Sequence, residues 1–302
     1  MNIYKKLKQS DSLIYLYDFF KEIYYKYFIS DEKLIKKRFR KRLGREVNLK
    51  NPKKFNDKLQ WLKLYWRDPL ATKCADKYKV REYIKEKIGE KYLNELIAVY
   101  NSVDEIDIDK LPKSFVLKGT HGSGYNIICK DKDKMDWEKE FKKMRRWMWT
   151  NYHWSKREWV YKDIKPRIIC EKYMEDESGE LRDYKIFCFH GEPKIIEVDI
   201  NRFTDHKRNI YDLNWNLLDV EIEYPSDPNT IIQRPETLNE MLELSRILSK
   251  DFPHVRVDFY NVNGEIIFGE LTFFHESGMG KFNPSEYELE LGRYLDLQDQ
   301  ML

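Results

Sequence analysis

The chain has 302 residues, room for roughly two or three packed subdomains, and its 55 Lys and Arg against 52 Asp and Glu leave a formal charge of +3, which argues against a dedicated nucleic-acid binder. Cys74, Cys129, Cys170 and Cys188 are scattered with no Cys-x-x-Cys pair, and the six His are dispersed; this excludes a disulfide scaffold and a zinc site and suits reduced thiols in the cytoplasm. No run of eighteen apolar residues occurs, so no segment is expected to span a membrane, and the N-terminus does not read as a signal peptide.

Residues 1–70 read as helical, with little Gly or Pro beyond Gly44, Pro52 and Pro69. Ser12 to Phe28 is aromatic and aliphatic but broken by Asp18, Lys21, Glu22 and Lys26. It reads as an interfacial helix whose Lys-rich flanks face anionic lipid or, preferably, as a helix packed on the protein itself. The basic run Lys36 to Arg42 is a solvated helix face that can touch phosphates or anionic lipid locally. Asn51-Pro52 looks like a helix start, followed by the apolar stripe Phe55, Leu59, Leu62 and Tyr65. Asp76 to Lys87 is a second amphipathic helix, stopped near Gly89, and Tyr92 to Tyr100 mixes strand and turn signals. From Phe115 the texture changes: strands at Phe115–Lys118 and Asn126–Cys129 flank a Gly- and Ser-rich turn, and 134–162 return to helix with Trp147, Trp149, Tyr152, Trp154 and Trp159. These rings suit either sugar stacking or core packing. Strand-like runs follow at 167–173, 184–189, 194–200 and 209–211, then a helix from Pro235 to Ser249. The order is a helical front and an α+β body rich in antiparallel strands.

The last segment carries the sharpest chemistry. Arg256-Val257-Asp258-Phe259-Tyr260 and Ile266 to Thr272 flank Asn263-Gly264, a β-hairpin with charges inside apolar runs. If Val262-Asn263-Gly264 is a three-residue loop, Arg256 lies opposite Glu270, with Asp258 diagonal to it and Thr272 on the same face. An even-length loop would separate the two carboxylates. Like charges held so close call for a cation, and oxygen ligands suit Mg²⁺ shared with phosphates; the plain alternative is a satisfied ion cluster. Upstream, Lys118-Gly119-Thr120-His121-Gly122-Ser123-Gly124 can bring backbone N–H groups to phosphate, although it matches neither a Walker A loop nor a dinucleotide fingerprint. Arg167 to Met174 is a buried strand running to a polar edge, where Glu171 is able to accept from an adenine amine. Asp183 and Lys185 share a face suited to ribose hydroxyls and phosphate.

Taken in order, Asn51-Pro52-Lys53-Lys54-Phe55, Trp61-Leu62-Lys63, Asp76 to Arg81, Phe115 to Gly124, Asp183 to Phe189, Arg256-Val257-Asp258 and Gly269 to Phe273 resemble the ATP-grasp fold, and more closely its TupA-like family, named for a teichuronopeptide biosynthesis protein. The resemblance covers roughly Asn51 to the C-terminus. It implies two α+β subdomains gripping ATP between antiparallel sheets behind a helical N-terminal extension. The expected units are a helical region 1–70, a linking subdomain 71–110, a central subdomain 111–175 with the glycine loop, and a C-terminal subdomain 176–302 with the metal site. Lys77 and Lys118 match the nucleotide lysines, and His121, Gly122, Ser123 and Gly124 form the loop over the β- and γ-phosphates. Glu171, Lys172 and Met174 look like the adenine hinge, Asp183 like the ribose carboxylate, with Lys185 beside it. Asp258 and Glu270 would hold Mg²⁺, and Arg256 would steady the phosphoryl group. Thr272 stands where the family pattern has Asn. Ser277, Gly278 and Lys281 are expected to face the acceptor.

The resemblance implies an ATP-dependent carboxylate–amine ligase of surface-polysaccharide assembly, cytoplasmic, with small-molecule or glycan substrates and peripheral membrane contact through residues 1–30. The rival is a glycosyltransferase, on the Asp-x-Asp matches Asp107-Ile108-Asp109 and Asp131-Lys132-Asp133. A third reading is a non-catalytic nucleotide-binding scaffold.

Overall fold

The computed structural model describes residues 11–176, 181–202 and 204–297. Helix α1 (Asp11–Ile23) runs into a π-helical turn, Tyr24–Phe28, and is followed by α2 (Asp31–Leu43), α3 (Phe55–Tyr65), α4 (Pro69–Ala75) and α5 (Val80–Lys87). Of the expected 1–30 segment, residues 1–10 lie outside the described residues. The expected 76–87 helix starts only at Val80, because the Asp76 carboxylate accepts the N–H groups of Tyr78 (2.9 Å) and Lys79 (3.3 Å) and bends the chain into a turn instead.

Strands β1 (Leu96–Tyr100), β2 (Phe115–Gly119), β3 (Asn126–Cys129) and β4 (Ile168–Lys172) form an antiparallel sheet in the order β1-β4-β2-β3. Between β3 and β4 the expected single helix is two, α6 (Trp137–Trp149) and α7 (Tyr152–Lys156), then a 3₁₀ turn at Trp159–Tyr161. The break has local causes. Thr150 takes an extended backbone, Asn151 caps the next helix through the N–H of His153, and Arg157 turns left-handed at φ 60°. Phe115, Leu117, Ile127, Cys170, Met144 and Trp147 make the core under this sheet.

The second sheet is antiparallel in the order β10-β9-β5-β6-β7, with β5 at Asp183–Phe189, β6 at Glu192–Ile200, β7 at Lys207–Tyr211, β9 at His254–Val262 and β10 at Glu265–Thr272. A two-stranded ribbon joins β8 (Glu221–Ile222) to β11 (Phe282–Asn283), and helices α8 (Leu238–Ser249) and α9 (Tyr287–Arg293) complete the chain. Helix α8 begins three residues after the expected Pro235. It packs on β5, β6 and β9 through Leu238, Met241, Leu244 and Leu248, and this larger core is separate from that of the first sheet.

The hairpin corrects the expected loop. Val262 pairs with Glu265, so the turn has two residues, Asn263 (φ 52°) and Gly264 (φ 88°), both left-handed as a type I′ turn requires. Ladder pairs then run Ile266–Asn261, Ile267–Tyr260 and Phe268–Phe259. One further step would place Gly269 opposite Asp258 and send Glu270 to the other face. A one-residue bulge at Gly269 intervenes, and Glu270 comes to lie directly opposite Asp258, with Thr272 rather than Glu270 opposite Arg256. The two carboxylates face each other despite the even loop.

Candidate active site

One face of the second sheet is ionic from edge to edge. Lys185 lies opposite both Asp258 and Glu197, Asp199 opposite Arg208, and Glu270 opposite Asp258. The Arg256 guanidinium donates to both Asp258 oxygens (Nε to Oδ1 2.8 Å, Nη2 to Oδ2 2.6 Å) and to Thr272 Oγ1 (3.3 Å), and its Nη2 is 3.7 Å from Glu270 Oε1. Thr272 in turn donates to Glu270 Oε1 at 3.1 Å. Burial pushes the Asp258 carboxyl up to about 7 against the pull of Arg256, and the Glu270 charge adds to the rise. Burial also raises Glu270, but Lys77, Arg256, the Thr272 hydroxyl and Lys118 outweigh it and leave that carboxyl below its usual value. Lys185 Nζ sits 2.6 Å from Asp199 and 3.4 Å from Asp183, and Arg208 binds Asp199 (2.8 Å) and Glu197 (3.1 Å).

The opposite wall comes from the first sheet and the turn before α5. Lys77 Nζ donates to the Gly122 carbonyl (2.7 Å) and lies 3.9 Å from Glu270 Oε2. Strand alternation turns Lys118 away from the core, and its ammonium is 2.7 Å from Glu171 Oε2, whose other oxygen takes Arg81 at 3.1 Å. Lys77, Arg81, Lys118, Glu171 and Tyr161 face Gly269, Glu270 and Leu271 across a cleft enclosing about 30 Å³. A larger cleft of about 440 Å³ lies elsewhere, between α1 and α6–α7.

The glycine loop is braced by rings. A Cβ on Gly122 would meet Tyr125 Cε2 at 2.8 Å and Tyr152 Cδ2 at 3.0 Å, so only glycine fits there. His121 is buried and points away from the cleft: its Nε2 is 2.7 Å from the Trp147 carbonyl, and burial lowers its pKa, so the neutral ring donates from Nε2. The Thr120 carbonyl accepts the Lys77 N–H (3.3 Å), which ties this loop to the turn opposite.

A family model described as TupA-like ATPgrasp matches residues 57–296. The chain belongs to the TupA-like ATP-grasp family. Its α+β architecture of antiparallel sheets and helices is the ATP-grasp fold. Among solved structures, D-alanine–D-alanine ligase from Bacillus anthracis complexed with ATP is 15% identical over 66% of this chain and 55% of that one, with a TM-score of 0.40. A second structure of that enzyme is 16% identical over 76% and 69%, with a TM-score of 0.43. The ATP-grasp ligase PsnB, complexed with a phosphomimetic variant of its minimal precursor, Mg and ADP, is 9% identical over 78% and 61%, also with a TM-score of 0.43. The chain thus spans little more than half the length of the first of these. None of the curated proteins compared is similar enough to match.

Within this TupA-like chain several expected site residues are engaged differently from the sequence reading. The Glu171 carboxylate is held by two cations rather than free to accept from an adenine amine. Strand β4 lies between β1 and β2, not at an edge, and the Lys172 N–H and C=O are taken by the Glu95 carbonyl (3.0 Å) and the Asn94 amide (2.9 Å). Of the expected hinge, only the backbone from Tyr173 to Met174 follows the strand end. Asp183 pairs with Arg202 at 2.7 Å. Lys281 is exposed on β11's approach, its N–H donating to Glu223, away from Ser277 and Gly278. The first aspartates of the two Asp-x-Asp matches, Asp107 and Asp131, cap their own turns through the N–H of Asp109 and Asp133 (both 3.2 Å).

The sequence reading missed a polar stripe on α3. Asn56, Gln60 and Lys63 recur at helical spacing and are fully buried. They donate to the carbonyls of Gly280 (2.8 Å), of Gly278 and Ser277 (2.6 and 2.9 Å), and of Ser277 (2.6 Å), and Lys63 also reaches Ser277 Oγ at 2.8 Å. The loop they grip has three consecutive left-handed residues, Glu276, Ser277 and Gly278. Burial draws the Lys63 ammonium down to about 8, against the nearby Glu158 carboxylate, which burial raises and the Ser277 hydroxyl bonds. The spacing 56-60-63 was the available signal, masked by the apolar stripe beside it.

Proposed function

We propose that this protein is an ATP-dependent carboxylate–amine ligase that forms a C–N bond through an acyl phosphate. The observation carrying the reading is Glu270, which faces Lys77 and Lys118 across one cleft and is opposed on β9–β10 by the buried Asp258 with Arg256 beside it. Among the described residues no group of three or more His, Cys, Asp or Glu is arranged to hold a metal. The protein's share of a metal site would be two carboxylates and the Thr272 hydroxyl, an all-oxygen set of the kind Mg²⁺ takes while keeping waters and sharing substrate phosphates, once Asp258 turns an oxygen from Arg256 to the ion. Bound by Asp258, Glu270 and Thr272, Mg²⁺ would supply charge neutralisation to the triphosphate.

Lys77 and Lys118 would exchange their present oxygens for phosphate oxygens, and the backbone of His121 to Gly124 would cover the β- and γ-phosphates. Asp183 and Lys185 would face ribose and phosphate, with the backbone of Tyr173 and Met174 near adenine. The two expected units 111–175 and 176–302 would provide the grip, the first sheet also taking β1 from the linking stretch 71–110. A substrate carboxylate oxygen attacks the γ-phosphorus while the bond to the β-phosphate oxygen breaks and ADP departs. The amine lone pair then attacks the acyl carbon, the C–O bond to phosphate breaks, and the nitrogen loses a proton. Arg256 would offset charge on the transferring group, and Ser277 with Gly278 would meet the acceptor. The family resemblance supports an amino acid or amino sugar joined to a uronic acid in surface polysaccharide, in the cytoplasm at the inner face of the membrane.

The test is a screen of amino acids and uronic acids with MgATP, read by nucleotide product. ADP and phosphate should appear in equal amounts and only when both a carboxylate and an amine are present. Release of AMP and pyrophosphate would overturn the acyl-phosphate route.

A further inference from the structure

Helix α1 presents the wrong face to water. Leu13, Leu16, Phe20, Tyr24, Tyr27 and Phe28 recur at three- and four-residue steps, and all are exposed, Phe20 at 60%, Tyr27 at 68% and Phe28 at 74%. The opposite face, which meets the protein, mixes Ile14, Tyr15 and Tyr25 with Asp18, Lys21 and Glu22. Asp18 is 8% exposed and takes a two-pronged grip from Arg146 (Nε 2.7 Å, Nη2 3.2 Å). At the far end the buried Arg157 donates to the carbonyls of Tyr25 and Ile29 and pairs with Asp31 at 3.2 Å, pinning the elbow between α1 and α2. A helix on a water-facing surface ordinarily buries its apolar stripe. The helix packs on the protein, the preferred sequence expectation, but its larger apolar stripe is left outward.

Charge says what covers the face. Residues 26–42 hold eight Lys and Arg against two acids. On α2, Lys33, Lys37 and Lys41 stand exposed at four-residue steps, with Lys36 and Arg40 exposed beside them. Lysine is depleted at the centres of protein–protein contacts. Aromatic side chains bordered by lysines match an anionic bilayer, with rings in the headgroup layer and ammonium groups at the lipid phosphates. No helix among the described residues is long and apolar enough to cross a membrane. We propose that α1, its π-helical turn and the basic stripe of α2 dock this protein peripherally on an anionic lipid bilayer, the outward apolar face against the headgroups. This deepens the membrane part of the proposed function and rests on it for location alone; the ligase chemistry is independent.

The test is flotation of the full-length protein with vesicles of mixed phosphatidylcholine and phosphatidylglycerol, and with phosphatidylcholine alone. The protein should float with the anionic vesicles only, and less as salt rises. Lys33→Glu, Lys37→Glu and Lys41→Glu together should weaken binding about a hundredfold or more, and Phe20→Ser with Phe28→Ser should abolish it. Both variants should release ADP in solution like the parent, so a failed ligase reading would not be confused with failed docking. Absence of binding by the parent at low salt overturns the proposal. So does a doubled mass in light scattering that Phe20→Ser with Phe28→Ser reverts, since the face would then belong to a second copy of the chain.

Discussion

Gly269 decides which side of its strand Glu270 occupies. A Cβ there would sit 3.0 Å from the Asp258 carbonyl oxygen and 3.3 Å from Tyr260 Cε2, so a side chain forces the two strands apart at the bulge. Gly269→Ala should cost about 1–3 kcal/mol in urea unfolding, the range for overpacking. It should also cut ADP release well beyond what that loss explains, because the Asp258–Glu270 pair depends on the bulge. Unchanged turnover in a folded Gly269→Ala protein would show that another feature sets the pair. Lys63 acts at one remove, through the Ser277 carbonyl and hydroxyl. Lys63→Met keeps the length of the side chain but leaves the buried Glu158 carboxylate without its cation, so the variant should unfold at lower urea than the parent, and kinetics are read on its folded fraction. We expect the KM for the amine acceptor to rise about tenfold through lost positioning, with ATP affinity unchanged in calorimetry. Equal losses for both substrates would mean that Lys63 serves the structure as a whole.

Strand β9 shows both what the sequence disclosed and what it hid. Alternation in 254–262 was plain, and so were the charges set into it. The loop length was not, because Asn263-Gly264 serves equally as a two-residue turn or as part of a longer loop, and the compensating bulge depends on a close approach that one sequence does not display. The polar stripe of α3 was obscured for a related reason: a helix buried on two sides looks amphipathic although neither face is wet. The cation pair on Glu171 joins residues 81, 118 and 171 and is visible only in three dimensions. Strand β9 also begins with a titratable group that the active site does not use. His254 is enclosed by Phe55, Phe187 and Phe189, its Nδ1 2.9 Å from the Cys188 carbonyl, and burial pulls its pKa to about 3; burial likewise lowers His153 to about 4. An unfolded histidine takes up a proton near 6.5 that these refuse until far lower, so the unfolded chain binds more protons throughout the interval between. Stability should therefore fall as pH drops from about 6.5 towards 3, by about 2 kcal/mol for each of the two at pH 5. Urea midpoints at neutral pH and at about pH 5 measure this, and His254→Gln should show a visibly smaller difference than the parent. An equal difference would mean that His254 is not the group concerned.

The two sheets stand on separate cores, and Lys77 bridges the cleft, reaching both Gly122 and Glu270. Parting them exchanges ionic contacts that water or phosphate can replace. The cleft as it stands encloses about 30 Å³, against roughly 300–1,000 Å³ for sites that take a small organic ligand. On the proposed reading, nucleotide entry would separate the sheets, and closure would rebuild the contacts around phosphate instead of around Gly122 and Glu171. Hydrogen exchange with and without a non-hydrolysable ATP analogue and Mg²⁺ reads this directly. Amides of the loop 120–125 and of the β9–β10 pair near Asp258 and Glu270 should slow on binding, while those of β5 and β6 in the larger core should not change. Lys77→Met should remove the slowing, since it deletes the side chain that joins the loop to Glu270. If calorimetry shows the analogue bound and the loop exchanges at its former rate, the two sheets do not close on the nucleotide.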